Sequence, residues 1–473
     1  MKHNNILKNV VRTASKLLVK RVPYSPENHY LETIFAPVHQ EYTATQLKVK
    51  GQIPTALNGI LTRIGPNPKK VDNPGNHSWF VGDGMVHGVR LQNGQAVWYR
   101  NRYVADTSQD HKLEQQLGAQ RGIGGAVNTN IIGHGGRLWA LVEAGSFPVE
   151  LNSELSSVHV GLFDSTVNNG FTAHPHLDPK TGELHAICYD ALKQNHVTYL
   201  VIDQHCQVKN KVSIPVKHGP MMHDGAMTSK SMILFDLPVT FSGKDILKGA
   251  SLPYRWNPKH PARVGVLPRN GKAEDVRWLT VDPCFVFHSC NAFERDNGEI
   301  IVDVVVHPKM FASDLTVKTG PELGTTTFER WTLSPNSNKV HRQVIHTEPQ
   351  EFPRFDERFA GQNYSHAYSI SLPMNGNTSL PNQLLHYDLQ TGEINRHSYG
   401  ANEVTGEVVF VPRSPDAPEN DGWLMSYVHD LNCGNSKIVI LDSLNLGGKP
   451  VTEIELPVRV PMGFHGNWIA DSI

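Results

Sequence analysis

An all-β chain closed into a propeller is the architecture that the sequence predicts, and three observations carry it. Short β-rich runs recur at residues 98–104, 231–235, 300–306, 407–411 and 437–441. Turn signals separate such runs: Asn58-Gly59, Asn93-Gly94 and Asn297-Gly298 are type I′ hairpin candidates. No long helical pattern follows residue 25, and no shift in composition divides residues 26–473 into separate domains. An open sheet of this size would leave pairing edges exposed, whereas closure into a ring removes them.

Taken in order, the chain opens on a segment unlike the rest. Lys8, Arg12, Lys16 and Lys20 recur every fourth residue, beside an apolar stripe of Ile6, Val10, Ala14 and Leu17. This predicts a basic amphipathic helix over residues 1–25, whose first 22 residues could lie in a membrane surface or pack on the domain. Charges interrupt every apolar stretch of it, so it does not read as a secretory signal. Further on, the segment Asp178-Pro-Lys-Thr-Gly-Glu183 is echoed by Asp388-Leu-Gln-Thr-Gly-Glu393, one hairpin design used twice.

Composition excludes several classes. Lys and Arg number 44 against 45 Asp and Glu, without the basic excess of a nucleic-acid binder. The five cysteines are odd in number and form no CxxC pair, which argues against a disulfide framework and a Cys-rich zinc site. A reducing cytoplasm is the expected compartment, with peripheral membrane contact through residues 1–22. No run of 18 apolar residues occurs.

The count of 25 histidines is the anomaly. His174 in Phe171-Thr-Ala-His-Pro175, His223 in Met222-His-Asp-Gly-Ala226, His288 in Phe285-Val-Phe-His-Ser289 and His465 in Met462-Gly-Phe-His-Gly466 all sit in apolar surroundings at expected strand ends. One such residue is an ordinary hydrogen-bonded core histidine. Four together point to a metal, because a neutral imidazole is a ligand and metal sites gather it. Glu143, Glu351 and Glu407 occur in comparable settings. Together the seven positions recur about every 54 residues, the spacing of one contribution per blade to a central axis.

The chain resembles the carotenoid cleavage oxygenase family, which includes bacterial apocarotenoid- and stilbene-cleaving oxygenases and the vertebrate retinoid isomerohydrolase. The resemblance rests on Gly65-Pro-Asn-Pro68, Gly82-Asp-Gly-Met-Val-His-Gly88, Asn128-Thr-Asn130, Thr172-Ala-His-Pro175, His223-Asp224, Phe287-His288 with Asn291-Ala292, and Gly463-Phe-His-Gly466. It implies a seven-bladed propeller with a loop-and-helix dome over one end. It also implies Fe(II) held by His174, His223, His288 and His465, with Glu143, Glu351 and Glu407 behind those rings. The implied activity is dioxygenase cleavage of a carbon–carbon double bond in a hydrophobic polyene, a carotenoid or apocarotenoid, by O2. Stilbenoid cleavage, isomerisation or isomerohydrolysis on the same site, and a metal-free binding module are the alternatives.

Three details bear on the pocket. Thr129 matches a position that in some relatives holds a methyl near an open iron site, and an ordinary strand threonine is the other reading. Stilbene-cleaving relatives carry a Lys where this chain has Val142, and a Tyr where it has Tyr103, so half of that phenol-binding pair is missing. Val142 suits a polyene. Gly225 stands where many relatives carry Phe, which leaves the pocket shape near the iron open. His77, His87 and His176 are read as structural.

Overall fold

The computed structural model describes Leu18 and residues 22–471, apart from 105–126, 161–162, 164–169, 192, 313–325 and 373–379. The N-terminal helix expected over residues 1–25 therefore falls largely outside the described residues. The described chain forms seven antiparallel blades around one axis, as the resemblance implies. Blade 1 holds Gly59–Pro66, Gly84–Gln92 and Gln95–Tyr103, and blade 2 runs from Asn130–His134 to Ser157–Val160. Blade 3 runs from His176–Leu177 to Val208–Pro215, and blade 4 from Gly225–Met227 to Arg277–Thr280. Blade 5 runs from Phe285–Glu294 to His341–His346, blade 6 from Gln350–Phe355 to Ile394–Ser398, and blade 7 from Glu403–Pro412 to Thr452–Glu455.

The first strands of blades 4, 5, 6 and 7 touch one another in turn and wall the axis. Burial follows from this position. The second strand of blade 5, Ile300–His307, is buried along its whole length, and its sequence is nearly all apolar. The fourth strand of blade 3, Val208–Pro215, lies outermost and mostly alternates half-buried with exposed residues. The core is accordingly not one mass but a series of layers between neighbouring blades. Ile60, Ile64 and Val86 of blade 1 pack on Ile131, Leu138 and Val149 of blade 2, and Leu61, Val89 and Tyr99 pack on Val409, Met425 and Ile440 of blade 7.

Turn chemistry agrees with expectation at some positions only. Asn93 (φ 51°) and Gly94 (φ 74°) make the two-residue hairpin between Gly84–Gln92 and Gln95–Tyr103. Asn58-Gly59 is not a hairpin, because Gly59 begins a strand that pairs with the end of the chain. Asn297-Gly298 lies in a longer turn closed by Gly298 N–H donating to Arg295 O at 2.9 Å. The Asp-Thr-Gly-Glu design does recur: Gly182 N–H donates to Asp178 O and Gly392 N–H to Asp388 O, each at 2.8 Å. A third copy at Asp430 and Gly434, also 2.8 Å, carries no Thr-Gly-Glu signature.

The ring is closed at both ends of the chain. Trp468–Ala470 adds to blade 1 by pairing with Gly59–Pro66, while Lys48–Gly51 adds to the outer edge of blade 7 by pairing with Thr452–Glu455. Arg90 reinforces the first junction with two 2.7 Å bonds to Asp471. Removing residues 468–473 should lower stability by on the order of 3 kcal/mol through lost pairing and apolar burial. The urea midpoint of the shortened chain measures this; an unchanged midpoint would mean that the junction contributes nothing.

Candidate metal centre

The four histidines reach the axis by different local devices. His174 and His223 each lie two residues ahead of a first strand, His176–Leu177 and Gly225–Met227. His288 lies inside Phe285–Glu294, where pairing with Ile300–His307 slips between Val286 and Ser289 and again between Ser289 and Ala292. Such bulges re-aim a side chain that a regular pleat would place otherwise. His465 sits in an approach squeezed against blade 1. A Cβ on Gly466 would stand 2.1 Å from Thr62 O, and one on Gly463 would stand 2.7 Å from Ile64 O. The glycines around His465 are thus required by backbone contact.

The result is one cluster. Ligand atoms of His174, His223, His288 and His465 all lie within 4.8 Å of one another, with His223 and His465 buried and the other two half-buried. Ring centroids of His174 stand 4.5 Å from those of His223 and His465 and 5.0 Å from that of His288. Three of the rings turn their far nitrogen to a carboxylate. His288 Nδ1 lies 2.6 Å from Glu351 Oε2, and His465 Nδ1 lies 3.0 Å from Glu407 Oε1. His223 Nδ1 is 2.8 Å from Glu143 Oε2, although off-line for a hydrogen bond in this pose. Among the described residues no carboxylate pairs with His174.

This arrangement fits a cation. A proton on Nδ1, given to a carboxylate, leaves Nε2 with its lone pair directed inward. The Nε2 atoms of His223 and His288 are 3.3 Å apart, and two lone pairs at that distance repel unless a positive charge lies between them. His174 Nε2 is buried without a hydrogen-bond partner. The cluster spans close to the roughly 4 Å that separates ligands on opposite sides of one metal ion. Burial, with repulsion from the other rings, holds His174 well below the usual imidazole range. Burial also lowers His465, only partly offset by Glu407. For His288 burial acts the same way, but Glu351, with the charges of Asp224 and Glu407, outweighs it and raises the value. The pull that favours a proton there equally favours a metal cation.

The carboxylates are themselves pinned. Glu351 accepts from His307 Nε2 at 2.6 Å and from the Phe352 N–H at 2.7 Å, besides facing His288. Burial opposes its charge, yet the two imidazoles keep its carboxyl below the usual range. Glu407 accepts from Gly466 N–H at 2.9 Å and from Arg354 Nη1 at 3.3 Å. Arg354, His465 and that N–H together overcome burial and hold it at about 2. Both residues lie at slips in register, between Glu351 and Arg354 and between Thr405 and Val408. Ala144 (φ 61°) and Phe352 (φ 57°) follow Glu143 and Glu351 in the left-handed region, a strained conformation that the surrounding packing must enforce.

The seven-residue regularity holds with one shift. Glu143 lies beyond the second strand of blade 2, Arg137–Leu141, whereas Thr129 adjoins the first strand, Asn130–His134. Thr129 O accepts the His465 N–H at 3.2 Å, which ties it to the cluster.

Two cavities meet the histidines from opposite sides. One, of about 710 Å³, is walled by Trp79, Phe80, Phe287, Phe311, Phe352 and Phe464, and includes Thr129, Val142 and Glu143 beside His223, His288 and His465. Its walls come chiefly from connections at one end of the ring. The other, of about 930 Å³, is lined by polar groups such as Asn130, Asp224, Arg354 and Glu357, with His174, His288 and His465.

Some expected pocket features lie elsewhere. Tyr103 does not line the apolar cavity; its hydroxyl accepts from Asn67 Nδ2 at 2.8 Å and donates to Val38 O at 3.1 Å. Gly225 opens no space near the cluster, because a Cβ there would meet Met232 Cε at 2.7 Å and Ile233 O at 2.8 Å. His176 Nε2 binds Asp224 Oδ1 at 2.8 Å, and Asp224 in turn takes the Ser289 N–H, so the pair links blades 3, 4 and 5. His87 Nδ1 contacts Tyr99 OH at 2.9 Å within blade 1. His77 lines neither cavity, and burial lowers its pKa to about 4. Two site residues escaped sequence reasoning, His307 and Arg354. His307 ends the apolar run 304–306, a setting like those of the four ligand candidates, and could have been found by the same signal.

With this geometry in view, the comparisons are specific. Residues 35–470 match the family described as retinal pigment epithelial membrane protein. The chain is 37% identical to the carotenoid cleavage oxygenase of Mycobacterium tuberculosis, over 93% of this chain and 97% of that protein. It superposes on the crystal structure of Pseudomonas brassicacearum lignostilbene dioxygenase with a TM-score of 0.84 at 28% identity, covering 95% of this chain and 100% of that one. It also superposes on cobalt-substituted Synechocystis apocarotenoid oxygenase with a TM-score of 0.82 at 25% identity, covering 95% and 99%. A propeller with four histidines gathered on its axis, matched over nearly its whole length by these oxygenases, belongs to the carotenoid cleavage oxygenase family and is an oxygenase.

Proposed function

We propose that the chain is a non-heme Fe(II)-dependent dioxygenase that cleaves a carbon–carbon double bond of a carotenoid or apocarotenoid into two carbonyl products. The observation that carries this reading is the meeting of a four-imidazole cluster with the wall of a large, aromatic-lined cavity. His174, His223, His288 and His465 would hold the ion, and Glu143, Glu351 and Glu407 would orient three of the rings. Bound there, Fe(II) supplies the one-electron chemistry that lets ground-state dioxygen react with an alkene.

The chain's own residues do the rest. Phe80, Phe287, Phe311 and Phe464 form a dry wall on which a polyene can lie flat, and Phe80 stacks on Phe464 at 5.8 Å between centroids. Val142 and the Thr129 methyl extend that wall beside the cluster. Hydrolysis would need a base free to activate water. Glu351 and Glu407 have both oxygens engaged, by His288, His307 and the Phe352 N–H in one case and by His465, Arg354 and the Gly466 N–H in the other. With Glu143 facing His223 Nδ1 at 2.8 Å as the third such carboxylate, this favours oxygen transfer over attack by water. A stilbenoid substrate has the likeness to lignostilbene dioxygenase in its favour; against it stand Val142 in the wall and Tyr103 outside it. Residues 1–22, with their basic and apolar stripes, would bring the enzyme to the membranes in which such polyenes dissolve. Among the described residues no helix is long and apolar enough to cross a membrane.

Replacing His223, His288 or His465 with Ala should abolish most iron binding, read as metal per chain in the purified protein. Full occupancy in any variant would remove that residue from the ligand set. Absence of iron in an intact protein that still binds polyenes would instead favour a binding module.

Turnover under ¹⁸O₂, sampled before the aldehydes exchange with water, should label both carbonyl products. Label in one product alone would indicate monooxygenation, and conversion without oxygen would indicate an isomerase.

Deleting residues 1–22 should leave cleavage of a detergent-dispersed substrate intact and weaken partitioning onto anionic liposomes. Equal partitioning of the two forms would assign the segment to packing on the domain.

A further inference from the structure

Buried polar atoms without a hydrogen-bond partner are uncommon, and each calls for a reason. Among the residues lining the apolar cavity, such atoms belong to Glu143, His223, His307, Tyr189 and Tyr254. Glu143 and His223 face each other in the metal centre. His307 is already pinned to Glu351 through its other nitrogen. Tyr254 takes part in neither arrangement, and Tyr189 only through its approach to Glu143. Tyr189 follows the strand Leu184–Cys188 of blade 3, and Tyr254 begins Tyr254–Trp256 in the two-stranded ribbon it forms with Val239–Phe241. They are 4% and 5% exposed, and their rings meet edge to face at 5.9 Å.

We propose that Tyr254, with Tyr189 beside it, is a hydrogen-bonding station in the cavity wall that recognises an acceptor oxygen on the substrate, so that the preferred polyene carries a terminal carbonyl. This rests on the cleavage reading above and narrows its substrate class to apocarotenals. Burial, reinforced by the Glu143 charge, holds both phenols well above their ordinary pKa, so each keeps its proton and acts as a donor. The two are not equivalent. Glu143 lies close enough to Tyr189 to compete for its proton, whereas Tyr254 has no such acceptor. A donor that only the substrate satisfies discriminates strongly against an analogue lacking the oxygen, since that analogue leaves the buried hydroxyl unpaired.

The test is binding without turnover. Under anaerobic conditions the full chain is titrated with an apocarotenal and with a hydrocarbon polyene of the same length lacking the oxygen. Tryptophan quenching gives Kd, and the visible absorption maximum reports a hydrogen bond to the carbonyl. The wild type should bind the aldehyde more tightly by on the order of tenfold and shift its absorption to the red. Tyr254→Phe keeps the ring and should lose most of both effects while leaving hydrocarbon binding unchanged; Tyr189→Phe should lose less. Equal binding of the two polyenes by wild type, or equal weakening of both by Tyr254→Phe, would overturn the assignment and leave the cleavage reading standing. Failure of the wild type to bind either polyene would overturn both.

Discussion

Everything at the axis depends on keeping four imidazoles neutral, fixed in tautomer and withdrawn from water. A cluster of nitrogen lone pairs 3.3 to 4.8 Å apart is repulsive without a cation, and the protein must hold it together before any metal arrives. Carboxylates supply the restraint: Glu351 and Glu407 take the far N–H of His288 and His465, and Glu143 stands 2.8 Å from His223 Nδ1. They could not do so alone, because a buried carboxylate with one partner would take up a proton instead. Hence the outer layer of partners, His307 on Glu351 and Arg354 on Glu407. Arg354 also reaches Asn467 Oδ1 at 2.7 Å, so the charge that steadies Glu407 also ties blade 6 to the strand that closes blade 1.

The propeller suits this task because each blade delivers an inner strand to the same line, and small irregularities then choose which side chain faces it. Register slips flank His288, Glu351 and Glu407, and a left-handed residue follows Glu143 and Glu351. The layers between blades are apolar and tightly filled, so the distortions are concentrated where the chemistry lies and are held by ordinary packing around them.

Much of this was legible from residue types. Four histidines and three glutamates in apolar segments at blade-like spacing identify the axis, and the β-rich runs at 231–235 and 300–306 appear as Ser231–Asp236 and Ile300–His307. What remained hidden is set by contacts between distant segments. Nothing local to Asn58-Gly59 tells that it meets the end of the chain rather than turning a hairpin. Tyr103 reads as a pocket residue until Asn67 and Val38 are seen to hold its hydroxyl. Gly225 reads as missing bulk near the metal, yet Met232 and the Ile233 carbonyl fill the space. Glu143 satisfies the count of seven while Thr129 adjoins the inner strand of its blade, a distinction that spacing alone does not draw.

Chain order gives the closed ring a temporal meaning. The segment carrying His465 and the strand Trp468–Ala470 come after all seven blades' other strands, and they dock against Gly59–Pro66, among the first blade strands to be made. During synthesis the ribosome therefore releases a nearly complete set of blades that holds three of the four imidazoles and lacks the clasp. The fourth ring, its Glu407 partner contact and the ring's closure arrive together. Assembly of the four-imidazole cluster is thereby coupled to the docking of residues 463–470 on blade 1, and a chain interrupted before His465 cannot present the full set.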